Sequence, residues 1–319
     1  MKILIVGGSS FIGKNTLLRL SKKHDVIATY YTDPHFMGFL KENELNNVTA
    51  VKCNLMNISD IKKMFKKIGG KIDVALYLAS NKNLSDSVIN PLFDLDINVR
   101  GMVNFLECYT GGRLIFFSSG AVYYGLSGGV SPKSRVCPTL PFAITKLAAE
   151  YYVKFYKKRR RKFDSYIIVR FFGAYGPYEQ KRKIYTRLVE SFHFKDENSF
   201  TIRGDGRNFI DAMYVDDAVN GMVKILESYK SDLVVDFCLG NPLTINQLVT
   251  EVAKILGKED IMIKHSGKTE EYINYQASPS MFEKEFGFKP KINLETGIKK
   301  FANFLEKERR LKKEIRGGV

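Results

Sequence analysis

Cysteine is scarce and scattered: four in 319 residues, at Cys53, Cys108, Cys137 and Cys238, with no C-x-x-C pair. That spacing speaks against a disulfide framework or a thiolate zinc site and fits reduced thiols in a cytoplasmic protein. No metal is expected. No apolar run approaches the ~20 residues that cross a bilayer, so no membrane partner is expected either. The N-terminal apolar stretch runs straight into Gly7 with no cleavage-site pattern, unlike a secretory signal. Acidic residues are outnumbered, 34 against 50 Lys plus Arg, for a net charge of +16. Such an excess serves nucleic acid, an anionic membrane or a strongly anionic small substrate. The densest basic run, Lys157-Lys158-Arg159-Arg160-Arg161-Lys162, closes a predicted helix, where cations favour the helix dipole. No base-stacking platform accompanies it, so nucleic acid is not expected as a partner.

What the chain does have begins at its first residues. Ile3 to Val6 is a short apolar run bounded by glycine, the pattern of a strand buried on both faces. Gly7 permits a tight turn, and Gly13 lets a helix over Phe11–Ser21 pack close to the sheet. The backbone N–H groups of such a turn favour a phosphate. A lone glycine-rich turn is a weak signal, but its place between a buried strand and an amphipathic helix points to a dinucleotide. Further strands are predicted at Asp25–Tyr30, Thr49–Cys53, Val74–Leu78, Arg113–Ser118, Tyr166–Arg170 and Leu233–Leu239, with helices at Ile61–Ile68, Asp94–Tyr109 and Phe142–Arg160. This alternation implies an α/β fold, a Rossmann-like doubly wound parallel sheet. A dinucleotide-binding domain is expected over residues 1–170. A smaller substrate-binding lobe is expected over 171–319, interleaved because Leu233–Leu239 returns to the sheet.

Several motifs follow in order. Gly7-Gly8-Ser9-Ser10-Phe11-Ile12-Gly13, Cys53-Asn54-Leu55, Tyr77-Leu78-Ala79-Ser80, Asn98-Val99-Arg100-Gly101, Tyr175-Gly176-Pro177, Gly204-Asp205-Gly206 and Tyr214-Val215-Asp216-Asp217 lead to a closing Phe286-Gly287-Phe288-Lys289-Pro290. Together they resemble the extended short-chain dehydrogenase/reductase family, which includes nucleotide-sugar epimerases, dehydratases and ketoreductases. The resemblance implies NAD(P) and a nucleotide-diphosphate sugar. It implies cofactor contacts from Gly7, Ser9, Ser10, Phe11, Ile12, Gly13, Tyr30, Asn54, Leu55, Leu78, Ala79, Ser80, Asn98, Lys146 and Phe171. Tyr30 holds the place where a carboxylate usually accepts from the adenosine ribose. With Asp33 only a displaced candidate, the sequence leans slightly to NADP(H). The resemblance also implies a homodimer through a four-helix bundle of the Asp94–Tyr109 and Phe142–Arg160 helices.

The family's chemistry uses Ser/Thr, Tyr and Lys, the last two spaced i, i+4 so that both lie on one helix face. Here Lys146 is in place, but Phe142 holds the tyrosine position, and phenylalanine has no proton to exchange. Three readings stay open. The chain is an engineered Tyr→Phe form, an enzyme that recruits another acid such as Tyr123 or Tyr124, or a binder without turnover. The intact Lys146 and Ser119 favour the first.

Ser119 takes the Ser/Thr role when the motif Ser118-Ser119-Gly120-Ala121-Val122-Tyr123-Tyr124-Gly125 is counted from its strand, with the extra residue left to the loop. The family's dehydratases carry Asp-Glu where this chain has Gly120 and Ala121, which disfavours dehydration. Hydride transfer at a sugar carbinol or ketone, most simply C4 reduction or epimerisation, is what remains. Substrate contacts are expected from Ser119, Gly120, Ala121 and Gly173, with Gly173 replacing a substrate-binding asparagine. Ile210 stands where a diphosphate-gripping arginine is common, so Arg187, Arg203 or Arg207 is expected to supply that charge.

Overall fold

The computed structural model describes residues 1–81, 84–269 and 272–317. All seven predicted strands exist, and all seven lie in one parallel sheet: β1 (Lys2–Val6), β2 (Asp25–Tyr30), β3 (Val48–Lys52), β4 (Val74–Tyr77), β5 (Gly111–Ser119), β6 (Phe163–Phe171) and β7 (Leu233–Phe237), in the order β7-β6-β5-β4-β1-β2-β3. Order reverses beside β1, and a doubly wound sheet opens its crevice at such a point.

Alternation sorts the core into two layers. Ile3 and Ile5 of β1 pack on one face with the helices Phe11–Leu20 and Val215–Glu227, whereas Leu4 and Val6 pack on the other with Gly101–Cys108 and Pro141–Phe155. Both faces are covered, which is why β1 reads as an unbroken apolar run.

Strand and helix ends differ from expectation for local reasons. Strand β7 stops at Phe237 instead of Leu239 because the Asp211 carboxylate takes the N–H groups of Leu239 and Gly240 at 3.1 and 3.0 Å. The helix expected at Asp94 starts earlier, at Pro91, after Asn90 caps the N–H of Phe93 at 3.0 Å. It continues through a π-helical turn at Asp96–Arg100 into Gly101–Cys108. The Pro141–Phe155 helix also closes in a π-helical turn, Tyr156–Arg160, and ends at left-handed Arg161. There the basic run is partly neutralised, with Arg160 3.4 Å from Glu107 and Lys162 donating to the Glu107 carbonyl at 2.8 Å.

After β6 the chain also builds a second core. The Ile184–Val189, Ile245–Ile255 and Leu294–Gly317 helices pack with paired strands Ser199–Arg203 and Met262–Ser266 around Tyr175, Leu188, Phe192, Val249 and Phe301. A smaller cluster around Val122, Tyr123, Cys238 and Tyr275 lies against the turn that follows β5. All four cysteines are free. No helix among the described residues is long and apolar enough to cross a membrane.

Candidate active site

The turn after β1 is shaped by what glycine lacks. Gly7 has φ +92°, and a Cβ there would lie 2.9 Å from the backbone nitrogen of Ala79. A Cβ on Gly13 would lie 2.5 Å from the Gly7 carbonyl oxygen. The first helix therefore sits hard against the turn, and the first-turn N–H groups of Phe11 and Ile12 have no carbonyl behind them. Ser10, which replaces a glycine of the motif, is the N-cap, and its hydroxyl accepts from the N–H of Gly13 at 3.1 Å. The half-buried residues Leu78, Ala79 and Ser80 leave β4 beside this turn. Such a glycine-lined cradle at a helix N-terminus fits a dinucleotide phosphate.

At the far end of the groove, Tyr30 sets its ring 5.1 Å from Phe36 and so closes β2 by packing. Asp33 lies in the next loop and pairs with Lys14 of the first helix at 2.8 Å. Burial alone would raise the Asp33 pKa, but the Lys14 hydrogen bond and the N–H of His35 outweigh it and hold it below the ordinary value. Asn54 accepts from the N–H of Met56 at 3.1 Å and donates to the Tyr31 hydroxyl at 3.3 Å. Leu55 is half-buried and lies under Gly101, where a Cβ would come within 3.3 Å of it.

Beyond β4 a buried polar cluster fixes the Pro141–Phe155 helix. Asp94, fully buried, accepts from Asn81 (2.8 Å), Asn98 (3.1 Å) and Thr145 (2.5 Å). Asn98 in turn accepts from Ser80 at 3.1 Å and from the N–H of Asn81 at 2.9 Å, and donates to Thr145 at 3.0 Å. Asn98 lies in the π-helical turn, a distortion often found at functional sites. The side chain next to Thr145 is Lys146, whose ammonium donates to the Phe117 carbonyl of β5 at 2.6 Å and sits 4.7 Å over the Phe116 ring. Burial pushes Lys146 down to about 7, against the opposing pull of Glu150 and Asp94.

Phe142 stands one turn earlier on that helix, half-buried, with its N–H donating to Ser87 at 3.2 Å and its carbonyl accepting from Thr145 at 3.0 Å. Ser119 ends β5, and its hydroxyl caps the short turn Gly120–Tyr123 by accepting from the N–H of Ala121 at 3.1 Å. Gly120 lies against Phe172, whose ring atoms a Cβ would meet at 3.0 Å. Ser80, Asn98 and Phe142 are thus linked by hydrogen bonds through Thr145, while Lys146 is fixed separately to the Phe117 carbonyl and Ser119 to its own turn.

Tyr123, nearest in sequence as a substitute acid, cannot serve as one. It is fully buried, and its hydroxyl donates to Asp236 at 2.8 Å while accepting from Arg170 at 3.0 Å. Burial raises its pKa well above the ordinary phenol value. Arg170 also grips Glu150 with two bonds, at 3.0 and 2.8 Å, and Ser118 donates to Glu150 at 2.7 Å. Sequence reasoning missed this chain and the Asp94 cluster. The i, i+4 spacing of Lys146 with Glu150, and of Asp94 with Asn98, was the available signal.

The expected substrate cations are placed differently. Arg187 lies over the Phe200 ring at 4.8 Å, Arg207 pairs with Asp205 at 2.8 Å and leans on Tyr272, and Arg203 is exposed on its strand. No hydrogen bond or ion pair among the described residues links any of the three to Ser119, Phe142 or Lys146. Gly173 has φ +137°, a conformation closed to asparagine without strain, which accounts for that departure from the motif. Phe171 packs its ring 5.7 Å from both Phe117 and Phe237.

Residues 3–238 match the profile of the NAD dependent epimerase/dehydratase family. The chain belongs to that family. It is an enzyme of the sugar-nucleotide epimerase and reductase kind. It is 25% identical to a UDP-glucuronate 4-epimerase of Thermodesulfobacterium geofontis, over 99% of this chain and 94% of that one. Among solved structures, a UDP-glucose 4-epimerase of Thermotoga maritima with UDP-glucose superposes with TM-score 0.85 at 23% identity, over 97% and 99% of the two chains. A Tyr→Phe mutant of a Bacillus cereus UDP-glucuronic acid 4-epimerase, in complex with UDP-4-deoxy-4-fluoro-glucuronic acid and NAD, superposes with TM-score 0.84 at 24% identity, over 97% and 100%.

Proposed function

We propose that this chain binds NAD and a UDP-sugar, and that its pocket is built for hydride transfer at C4 of the sugar. The observation that carries the reading is Lys146: a lysine buried to the point of losing its proton near neutral pH, one helical turn from position 142 and beside the Ser119 turn. A bound nicotinamide would supply the hydride chemistry. Gly7 and Gly13 with the N–H groups of Phe11 and Ile12 would seat its phosphates. Lys146 would orient the ribose from the helix face that it shares with Phe142, and Ser119 would polarise the sugar oxygen. Phe142 fills the acid/base position without supplying a proton, so the chain as it stands holds its ligands with little or no turnover. The Tyr→Phe relative that carries both a UDP-sugar analogue and NAD supports this. Proteins of the same fold that bind without reacting are the rival reading, favoured by the commitment of the Tyr123 hydroxyl to Asp236.

For the cofactor we take NAD over NADP. Asp33, whose carboxylate pairs with Lys14 just beyond β2, would accept from a ribose hydroxyl and repel a 2′-phosphate. Calorimetric titration should give tighter binding of NAD than of NADP. Asp33→Ala, which frees Lys14, should narrow or reverse that preference by about tenfold. A wild-type preference for NADP would contradict this choice and restore the lean drawn from the sequence.

We also propose a homodimer. Apolar side chains stand exposed on three helices that pack on one another, Ile89 (83%) on Leu84–Ile89, Leu92 (73%) on Pro91–Leu95, and Ile144, Tyr151 and Phe155 on Pro141–Phe155. An exposed patch of this kind marks an association surface. Light scattering should return twice the 36.4 kDa chain mass, and Leu92→Asp with Ile144→Asp should return the single mass. A monomeric wild type would remove the proposal.

A further inference from the structure

One segment of the second lobe ties together elements on both sides of the point where strand order reverses. The groove opens between β1 and β4, where strand order reverses. On its β1–β2 side stand Asn15, on the helix after β1, and Phe39 and Asn43, on and just after the helix Phe36–Glu42. On its β4 side stands Asp86, in the helix Leu84–Ile89. Residues 177–183 are fastened to both sides. The Pro177 carbonyl accepts from Asn15 at 2.9 Å. Tyr178 sets its ring edge-on to Phe39 at 5.1 Å, donates to Asn43 at 3.5 Å and meets Phe304 at 5.2 Å. At the other end Arg182 reaches Asp86 at 3.0 Å.

The two fastenings are unlike. Tyr178 has φ +69°, a strained conformation for a bulky residue that persists only where surrounding contacts over-determine it. Arg182 is exposed and Asp86 half-buried, and an ion pair open to solvent in this way is weak and salt-sensitive. We propose that residues 177–183 form a strap over the bound dinucleotide, hinged at Tyr178 and latched by Arg182 on Asp86, that slows release of the cofactor. This rests on the dinucleotide reading above and deepens it. In 4-epimerisation the hydride taken from C4 is given back to C4, so the cofactor ends each turnover unchanged and need not leave. A reductase must exchange its cofactor every turnover. A strap fastened on both sides of the groove suits the first.

The test is the release rate of NADH from loaded protein, read as loss of its fluorescence on mixing with excess NAD. Asp86→Asn and Arg182→Gln should each speed release by about two- to fivefold, the range open to an exposed ion pair. The double variant should be no faster than either single, because both remove one contact. High salt should bring wild type toward the variants. Unchanged melting temperatures would show that the fold is kept. Release at the wild-type rate from both variants, or fully additive effects, would overturn the strap and leave the dinucleotide reading standing. A wild type that binds neither NADH nor NADPH would remove the dinucleotide reading and the strap with it.

Discussion

Phe142→Tyr should sharply raise turnover of a sugar nucleotide. Conversion of a sugar nucleotide to its 4-epimer, followed by chromatography of the products, should rise by about 10²–10⁴-fold over the parent, the usual worth of one positioned acid/base. Position 142 shares a helix face with Lys146, and the Asp94–Asn98–Thr145 cluster already fixes that helix against the strand ends. An ammonium of lowered pKa one turn away is a suitable partner for a phenolate. If Phe142→Tyr binds sugar nucleotides yet converts none of them, the catalytic reading fails and the binding reading takes its place.

Glu150→Ala should be among the most damaging single changes in the chain, at about 3–5 kcal/mol of stability in urea unfolding. The substitution would leave the Arg170 guanidinium buried with one hydrogen-bond partner of its present two, and would orphan Ser118 as well. Asp236→Asn at the far end of the same chain should cost much less near neutral pH. Burial raises the Asp236 pKa from 3.8 to about 7, against the Tyr123 hydrogen bond and Arg170, so the side chain already holds its proton much of the time. The folded state therefore binds that proton more tightly than the unfolded chain does. The resulting stabilisation is complete below about pH 4 and is lost as pH rises through 7. Asp236→Asn should lack this decline, and unfolding midpoints measured at pH 5 and pH 8 would show the difference. Equal slopes in the two proteins would contradict the assignment.

The sheet was legible because its central strands are buried on both faces and carry unbroken apolar runs, as Ile3–Val6 and Ile167–Val169 do. Strand ends were less so, since a carboxylate from Asp211, far away in sequence, decides where β7 stops. The cradle was legible for a related reason: Gly7 and Gly13 answer to backbone contacts a few residues or one strand away. The departures from the family's motifs were visible as departures, but their causes were not. Ser10 serves as a helix cap, and Gly173 answers to a φ of +137°. The buried chain Ser118–Glu150–Arg170–Tyr123–Asp236 draws on five separate elements. No local pattern announces that the Tyr123 hydroxyl is already occupied.

The central claim is that this scaffold still holds a dinucleotide together with a sugar nucleotide. Native mass spectrometry of the protein as purified, and again after addition of UDP-glucose and UDP-glucuronic acid, tests it most directly. Each chain should carry the mass of one NAD, and one of the two sugars should add a further single mass that survives buffer exchange. A bare chain that takes up neither dinucleotide nor sugar nucleotide would contradict it, and would leave the glycine cradle and Lys146 as marks of ancestry alone.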